Sequence, residues 1–144
     1  MVELVHLWPP GMFCRAISGT PIYSSVTGVK APDHARIILA GQVSARPDGE
    51  LVGKGDMAAQ IRRVCESIRA GLEHVGAGFR DVVRTVTYTV DVSEYFRCQG
   101  VRFEYFAPPL PPSTLLGVSR LADPDFLVEI EAEAVVPLER LRNA

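Results

Sequence analysis

The chain has 144 residues, enough for one domain (1–144) with its own core and no need of covalent staples. Hydrophobic residues at 47% and charged residues at 22% exclude a disordered or low-complexity protein. A net charge of −2 offers no field to gather nucleic acid, and no apolar run approaches transmembrane length, the cleanest being Ile37-Ile38-Leu39-Ala40.

The N-terminus, MVELVHLWPPG, has no basic stretch leading into a long apolar one, so no secretory signal is read and a cytoplasmic location is expected. Trp8, ahead of Pro9-Pro10-Gly11, predicts a segment that packs locally before the first strand. Phe13 to Ile17 and Ser25 to Lys30 read as short strands, Ala31 to His34 as a turn, and Ala35 to Val43 as a third strand. Arg46-Pro47-Asp48-Gly49 has turn residues in the positions turns favour.

From Asp56 the period changes. Met57, Ile61, Val64, Cys65, Ile68, Leu72 and Val75 recur at three- and four-residue spacing, the stripe of an amphipathic helix. Asp56 is the expected N-cap, with Gly76 and Gly78 as terminators. Asp81 to Asp91, rich in Val, Thr and Tyr, returns to strand chemistry. Ser93 to Phe106 reads as a second helix capped by Ser93, weakened at Gly100 and stopped by the prolines from Pro108.

Two strands close the chain, Ser113 to Leu121 and Phe126 to Val136, around the turn Ala122-Asp123-Pro124-Asp125. The last places Glu129, Glu131 and Glu133 at every other residue, which puts three carboxylates on one strand face about 7 Å apart. Val128, Ile130, Ala132 and Ala134 fill the other face. A half-buried strand with a solvated acidic face explains this pattern; so does a strand that aims one carboxylate into a cleft to handle protons. The order β-β-β-α-β-α-β-β predicts an α+β fold, a mixed sheet with both helices on one face.

The cysteines Cys14, Cys65 and Cys98 form no CxxC, and His6, His34 and His74 show no ligand-like spacing, so no structural metal is expected. Cys65 and Cys98 read as small buried hydrophobes within helices. No nucleophile-elbow, phosphate-loop, zincin or dinucleotide motif is present.

Several segments in order resemble the RidA/YjgF family of enamine/imine deaminases. Ile37 to Val43 (IILAGQV) is similar to the family strand ending in Ser/Ala-Gly-Gln, and Gly53 to Gln60 to the loop entering the long helix. Val75-Gly76-Ala77-Gly78 with Asp81-Val82-Val83, the pair Tyr105-Phe106, and Val128-Glu129-Ile130-Glu131-Ala132 complete the likeness. The resemblance implies a fold like that of the trimeric chorismate mutases, a homotrimer with clefts between subunits, a small-molecule substrate and no cofactor. It implies that Glu129 positions water and that Tyr23, Gly41, Tyr95 and Thr114 line the cleft.

One position departs from the family pattern. Where those deaminases carry Pro-x-Arg-Ser/Thr, this chain reads Pro111-Pro112-Ser113-Thr114, so Ser113 stands at the substrate-binding arginine. An arginine fork grips a carboxylate bidentately, which serine cannot reproduce. Either another arginine reaches the cleft, or the substrate lacks a carboxylate, or the protein is not this kind of deaminase. Of the available arginines, Arg120 by alternation falls on the strand face opposite Ser113, and Arg15 is the better candidate. The reading is a deaminase-like hydrolase acting on a small imine, enamine or related C–N metabolite, not favouring standard 2-imino acids. The alternative is a trimer of the same fold that binds a small ligand or partner without catalysis.

Overall fold

A sheet of six strands takes the order β1-β4-β5-β8-β6-β7, where β1 is Glu3–Leu7, β4 Val26–Lys30, β5 His34–Gln42, β6 Val82–Thr89, β7 Ser113–Gly117 and β8 Val128–Pro137. The structure, a computed structural model, describes residues 2–144. All neighbours are antiparallel except β6 and β7, which run parallel with helix α2 (Val92–Cys98) in the crossover between them. The expected α+β class and mixed sheet are therefore the observed ones.

Helix α1 (Met57–His74) forms where the apolar stripe begins, and Asp56 caps it by accepting the amide of Ala59 at 3.0 Å. It ends at Val75, with the amides of Gly76 and Ala77 donating back to the carbonyls of Glu73 and Leu72. Ile61, Val64, Cys65, Ile68 and Leu72 are fully buried against the sheet, as are Val128, Ile130, Ala134 and Val136 of β8. Each large side chain of this layer contributes on the order of 1.5–3 kcal/mol by leaving water. The acidic residues of β8 consequently point to the face that no helix covers.

Four elements differ from the sequence expectation. Strand β1 pairs with β4 from Glu3↔Lys30 to Leu7↔Val26. It sits at an edge and is held by ladder hydrogen bonds and a Lys30–Glu3 ion pair, so burial leaves no clear alternation in ELVHL. The first predicted strand shrinks to Ala16–Ile17 (β2), which pairs with Thr20–Pro21 (β3). The turn between them, Ser18-Gly19, has φ of 52° and 80°, the two-residue hairpin geometry that suits strand twist.

The second helix is α-helical only to Cys98, then tightens into a 3₁₀ segment, Gln99–Glu104, starting beside the flexible Gly100. Its cap is Asp91, accepting from the Glu94 amide at 2.9 Å, rather than Ser93. Strand β7 stops at Gly117, which places Arg120 in the following loop, where its Nε donates to the Leu121 carbonyl. Cys65 is buried as expected, whereas Cys98 is half-buried.

Candidate active site

Strand β5 carries a bulge. Leu39 pairs with Ala132 and Gln42 with Ile130, so Ala40 and Gly41 together oppose Glu131. The side-chain amide of Gln42 donates to the Ala40 carbonyl at 2.8 Å, which satisfies backbone that the ladder leaves unpaired. The extra residue brings Gly41 under the arm of Glu129. A Cβ at position 41 would stand 2.9 Å from Glu129 Cδ and 3.0 Å from both Cγ and Oε1. Glycine is needed here for space and not for backbone freedom.

The three carboxylates of β8 have three different environments. Glu133 accepts from Arg36 at 2.7 and 3.1 Å and from Arg84 at 3.4 Å. Glu131 accepts the Tyr88 hydroxyl at 2.6 Å. Glu129 has no hydrogen-bond partner among the described residues and is half-buried. Burial, then the neighbouring Glu131 charge, push its carboxyl above the usual range, while Arg15 opposes the shift.

Glu129 lines a cleft of about 320 Å³ together with Gly41, Ala40, Arg15 and Tyr23; Phe13, Val43, Ala122 and Phe126 supply apolar wall. The small β2–β3 hairpin positions the basic side. The Ile22 amide donates to the Arg15 carbonyl at 3.0 Å, and the Arg15 amide donates to the Tyr23 hydroxyl at 3.4 Å. Trp8 Nε1 donates to the Tyr23 carbonyl at 2.7 Å and ties the hairpin base to the N-terminal strand. The Arg15 guanidinium stacks over Phe13, 5.7 Å from the ring centroid.

Buried Gln60 holds the opposite wall. Its amide donates to the carbonyls of Gly53 and Asp125 at 3.1 and 2.9 Å and accepts the Leu127 amide at 2.9 Å. This clamps the loop carrying Ala122 and Phe126 onto the start of α1.

Of the residues singled out in the sequence, Glu129, Gly41, Tyr23 and Arg15 come together within one chain. Tyr95 does not join them. It is 2% exposed, in the core beneath α2, where the helical stripe packs its ring. Ser113 and Thr114 lie on β7, the edge strand opposite β1. The Ser113 hydroxyl accepts from Thr85 Oγ1 at 3.0 Å, while Thr114 pairs with Val86 on the register row of Glu131. Phe13, Val43, Ala122 and Phe126 carried no signal in the sequence, being isolated apolar residues in loops or strand ends.

No group of three His, Cys, Asp or Glu side chains among the described residues is placed to hold a metal ion, and no helix is long and apolar enough to cross a membrane. The buried Cys65 thiol is pushed up to about 12 by desolvation, which removes it as a nucleophile. The cleft therefore holds a carboxylate without a hydrogen-bond partner among the described residues, raised by burial, in a partly apolar lining shared with the Arg15 guanidinium.

The family model described as endoribonuclease L-PSP matches residues 16–136. A RutC family protein of Pyrococcus abyssi is 41% identical over 99 residues, 68% of this chain and 76% of that protein. RutC family protein YjgH of Escherichia coli is 32% identical over 134 residues, 92% of this chain and 96% of that one. The crystal structure of RidA from the Antarctic bacterium Psychrobacter sp. aligns with a TM-score of 0.72 at 25% identity, covering 91% of this chain and 98% of that one. The match runs through the bulged strand, the long helix and the Glu129 strand alike, and this chain belongs to the RidA/YjgF family.

Proposed function

We propose that this protein hydrolyses a small imine, enamine or related C–N compound, with Glu129 handling water and protons. The observation that carries the reading is that Glu129, alone of the three β8 carboxylates, has no hydrogen-bond partner among the described residues and lines the cleft of about 320 Å³. Its carboxylate accepts a proton from water as the water oxygen bonds to the imine carbon and the C=N pair moves to nitrogen. The protonated Glu129 then passes that proton to nitrogen. Glu129 then takes the hydroxyl proton and delivers it to the amino nitrogen as the C–N bond breaks, so the hydroxyl becomes a carbonyl and ammonia leaves. Burial raises the Glu129 carboxyl above the ordinary carboxylate range, which makes its carboxylate the stronger base for the first step.

The cleft is completed, in this reading, by a second copy in a homotrimer. The uncovered sheet face supports association: Leu4, Arg36 and Val135 lie in one register row and Leu116 with Glu129 in another, with Leu4, Leu116 and Val135 all exposed. Sedimentation as a monomer at micromolar concentration would remove that arrangement. With Ser113 offering only a hydroxyl already engaged by Thr85, small acids such as 2-iminopropionate are poor substrates.

The test is ammonia release from imines generated in situ by an amino acid oxidase. The protein is expected to accelerate release well above the buffer rate. A rate equal to buffer across polar, apolar and aromatic imines would favour the second reading, a ligand-binding trimer without turnover, to which the absent arginine fork also points.

A further inference from the structure

A second recess shares no residue with the Glu129 cleft. Phe79, Arg80, Tyr105, Ala107, Pro108 and Pro109 line about 430 Å³, within the range of small-molecule clefts, about 300–1,000 Å³. Phe79 and Arg80 precede β6, and the segment from Tyr105 to Pro109 leads toward β7. The Tyr105 hydroxyl donates to Glu66 of α1 at 2.8 Å, which places the recess on the side of the sheet that the helices cover. Association of copies through the uncovered sheet face therefore leaves it open, with walls from one chain.

Its aromatic wall is fixed from behind. The Phe79 and Tyr105 ring centroids stand 5.6 Å apart, and Phe79 meets buried Phe106 edge-on at 4.8 Å. The Arg69 guanidinium lies over both rings, 4.9 Å from the Tyr105 centroid and 6.0 Å from that of Phe79. Glu66 accepts from Arg69 at 3.1 and 3.2 Å, so these two charges are matched within the wall. Burial, then the hydrogen bond to Glu66, hold the Tyr105 hydroxyl above its usual range, and it stays neutral.

Arg80 is the unmatched charge. It is exposed and forms no ion pair among the described residues. The adjacent carboxylate is already taken: Asp81 accepts from Arg140 through one oxygen and from the Gly78 amide, at 2.8 Å, through the other.

We propose that this recess is a second ligand site and that it takes a planar aromatic carboxylate, with the ring against Phe79 and Tyr105 and the acid group on Arg80. A guanidinium fork fits a carboxylate bidentately, and an aromatic body covers ring and proline surface that otherwise stays in water. An aliphatic acid leaves that wall wet, and a neutral ring leaves the fork empty. The two features together select an aromatic acid. The site does not depend on the hydrolytic reading of Glu129.

The test is a titration followed by backbone amide resonances. Indole-3-acetate and indole-3-acetamide are the probes, on the parent, Arg80→Gln, Arg80→Lys and Glu129→Gln proteins. The acid is expected to shift the amides of residues 79–80 and 105–107, and to bind there roughly fivefold more tightly than the amide, the modest gain an exposed charge gives. Arg80→Gln should remove that preference, Arg80→Lys should keep part of it as a point charge without a fork, and Glu129→Gln should keep all of it. Arg80 is exposed and unpaired, so its replacement should leave the fold intact, which the same spectra report. Shifts confined to Arg15, Tyr23, Gly41 and Glu129 would place the probe in the other cleft and overturn the proposal. So would an absence of shifts, equal binding of acid and amide at the recess, or a preference that survives in Arg80→Gln.

Discussion

Gly41→Ala should separate activity from stability. The added methyl would sit 2.9–3.0 Å from Glu129 Cδ, Cγ and Oε1. Ordinary carbon contacts are about 3.5–4.0 Å, so the carboxylate arm must retreat by roughly 0.5–1 Å. Driving it off its rotamer costs about 0.5–1.5 kcal/mol. Position 41 lies outside the left-handed region, so alanine is tolerated by the backbone and restricts the unfolded chain, a gain of about 0.4–1 kcal/mol. These offset each other to within about 1 kcal/mol, leaving the melting temperature nearly unchanged. Turnover is more exacting, since a misplacement near 1 Å costs on the order of a hundredfold. The assay is ammonia release beside a thermal melt, with Gly28→Ala as the control, because a Cβ there meets only Ile37 Cδ1 at 3.8 Å. Parent-like turnover in Gly41→Ala would refute the placement of Glu129 at the reacting carbon.

Glu129→Gln should be more stable than the parent at neutral pH. A carboxyl whose folded pKa is raised contributes stability below its unfolded pKa and loses it as pH rises through the folded value, so the parent is penalised at pH 7 and the glutamine is not. The gap in melting temperature should close below the usual carboxylate range; a gap that widens there contradicts the sign. Gln60→Leu would strand the Gly53 and Asp125 carbonyls and the Leu127 amide, at about 1–3 kcal/mol each before relaxation. Equilibrium unfolding should show a loss of several kcal/mol, and a loss under about 1 kcal/mol would mean the loop carrying Phe126 is held otherwise. Ser113→Arg should raise activity on 2-iminopropionate over the parent's poor rate; no gain would place position 113 outside the cleft.

The long helix and the Glu129 strand were legible because each buries one face, and burial imprints period 3.6 on Met57–His74 and period 2 on Val128–Pro137. Strand β1 left no such imprint, since an edge strand is held by backbone hydrogen bonds that any side chain permits. The second helix was read too long because Val101 and Tyr105 keep a four-residue apolar spacing although the backbone has tightened into a 3₁₀ segment. Within the site, alternation showed that three carboxylates share a face but not that Tyr88, Arg36 and Arg84 engage two of them. Those partners come from other strands, and cross-strand register is not written in one segment. Tyr95 was misplaced for a related reason: an aromatic on a short helix serves a cleft or a core equally well until the sheet beneath it is known.

The distinct environments of Glu129, Glu131 and Glu133 give the central claim its most direct test. Single turnover of whichever in situ-generated imine the parent hydrolyses fastest is followed as ammonia release by the parent and by Glu129→Gln, Glu131→Gln and Glu133→Gln. A positioned proton-transfer group contributes on the order of 10²–10⁴-fold, so Glu129→Gln should lose at least a hundredfold. Glu131→Gln and Glu133→Gln should stay within about tenfold of the parent, as their carboxylates are held by Tyr88 and by Arg36 and Arg84. Three equal losses, or a Glu129→Gln protein as fast as the parent, would contradict the account.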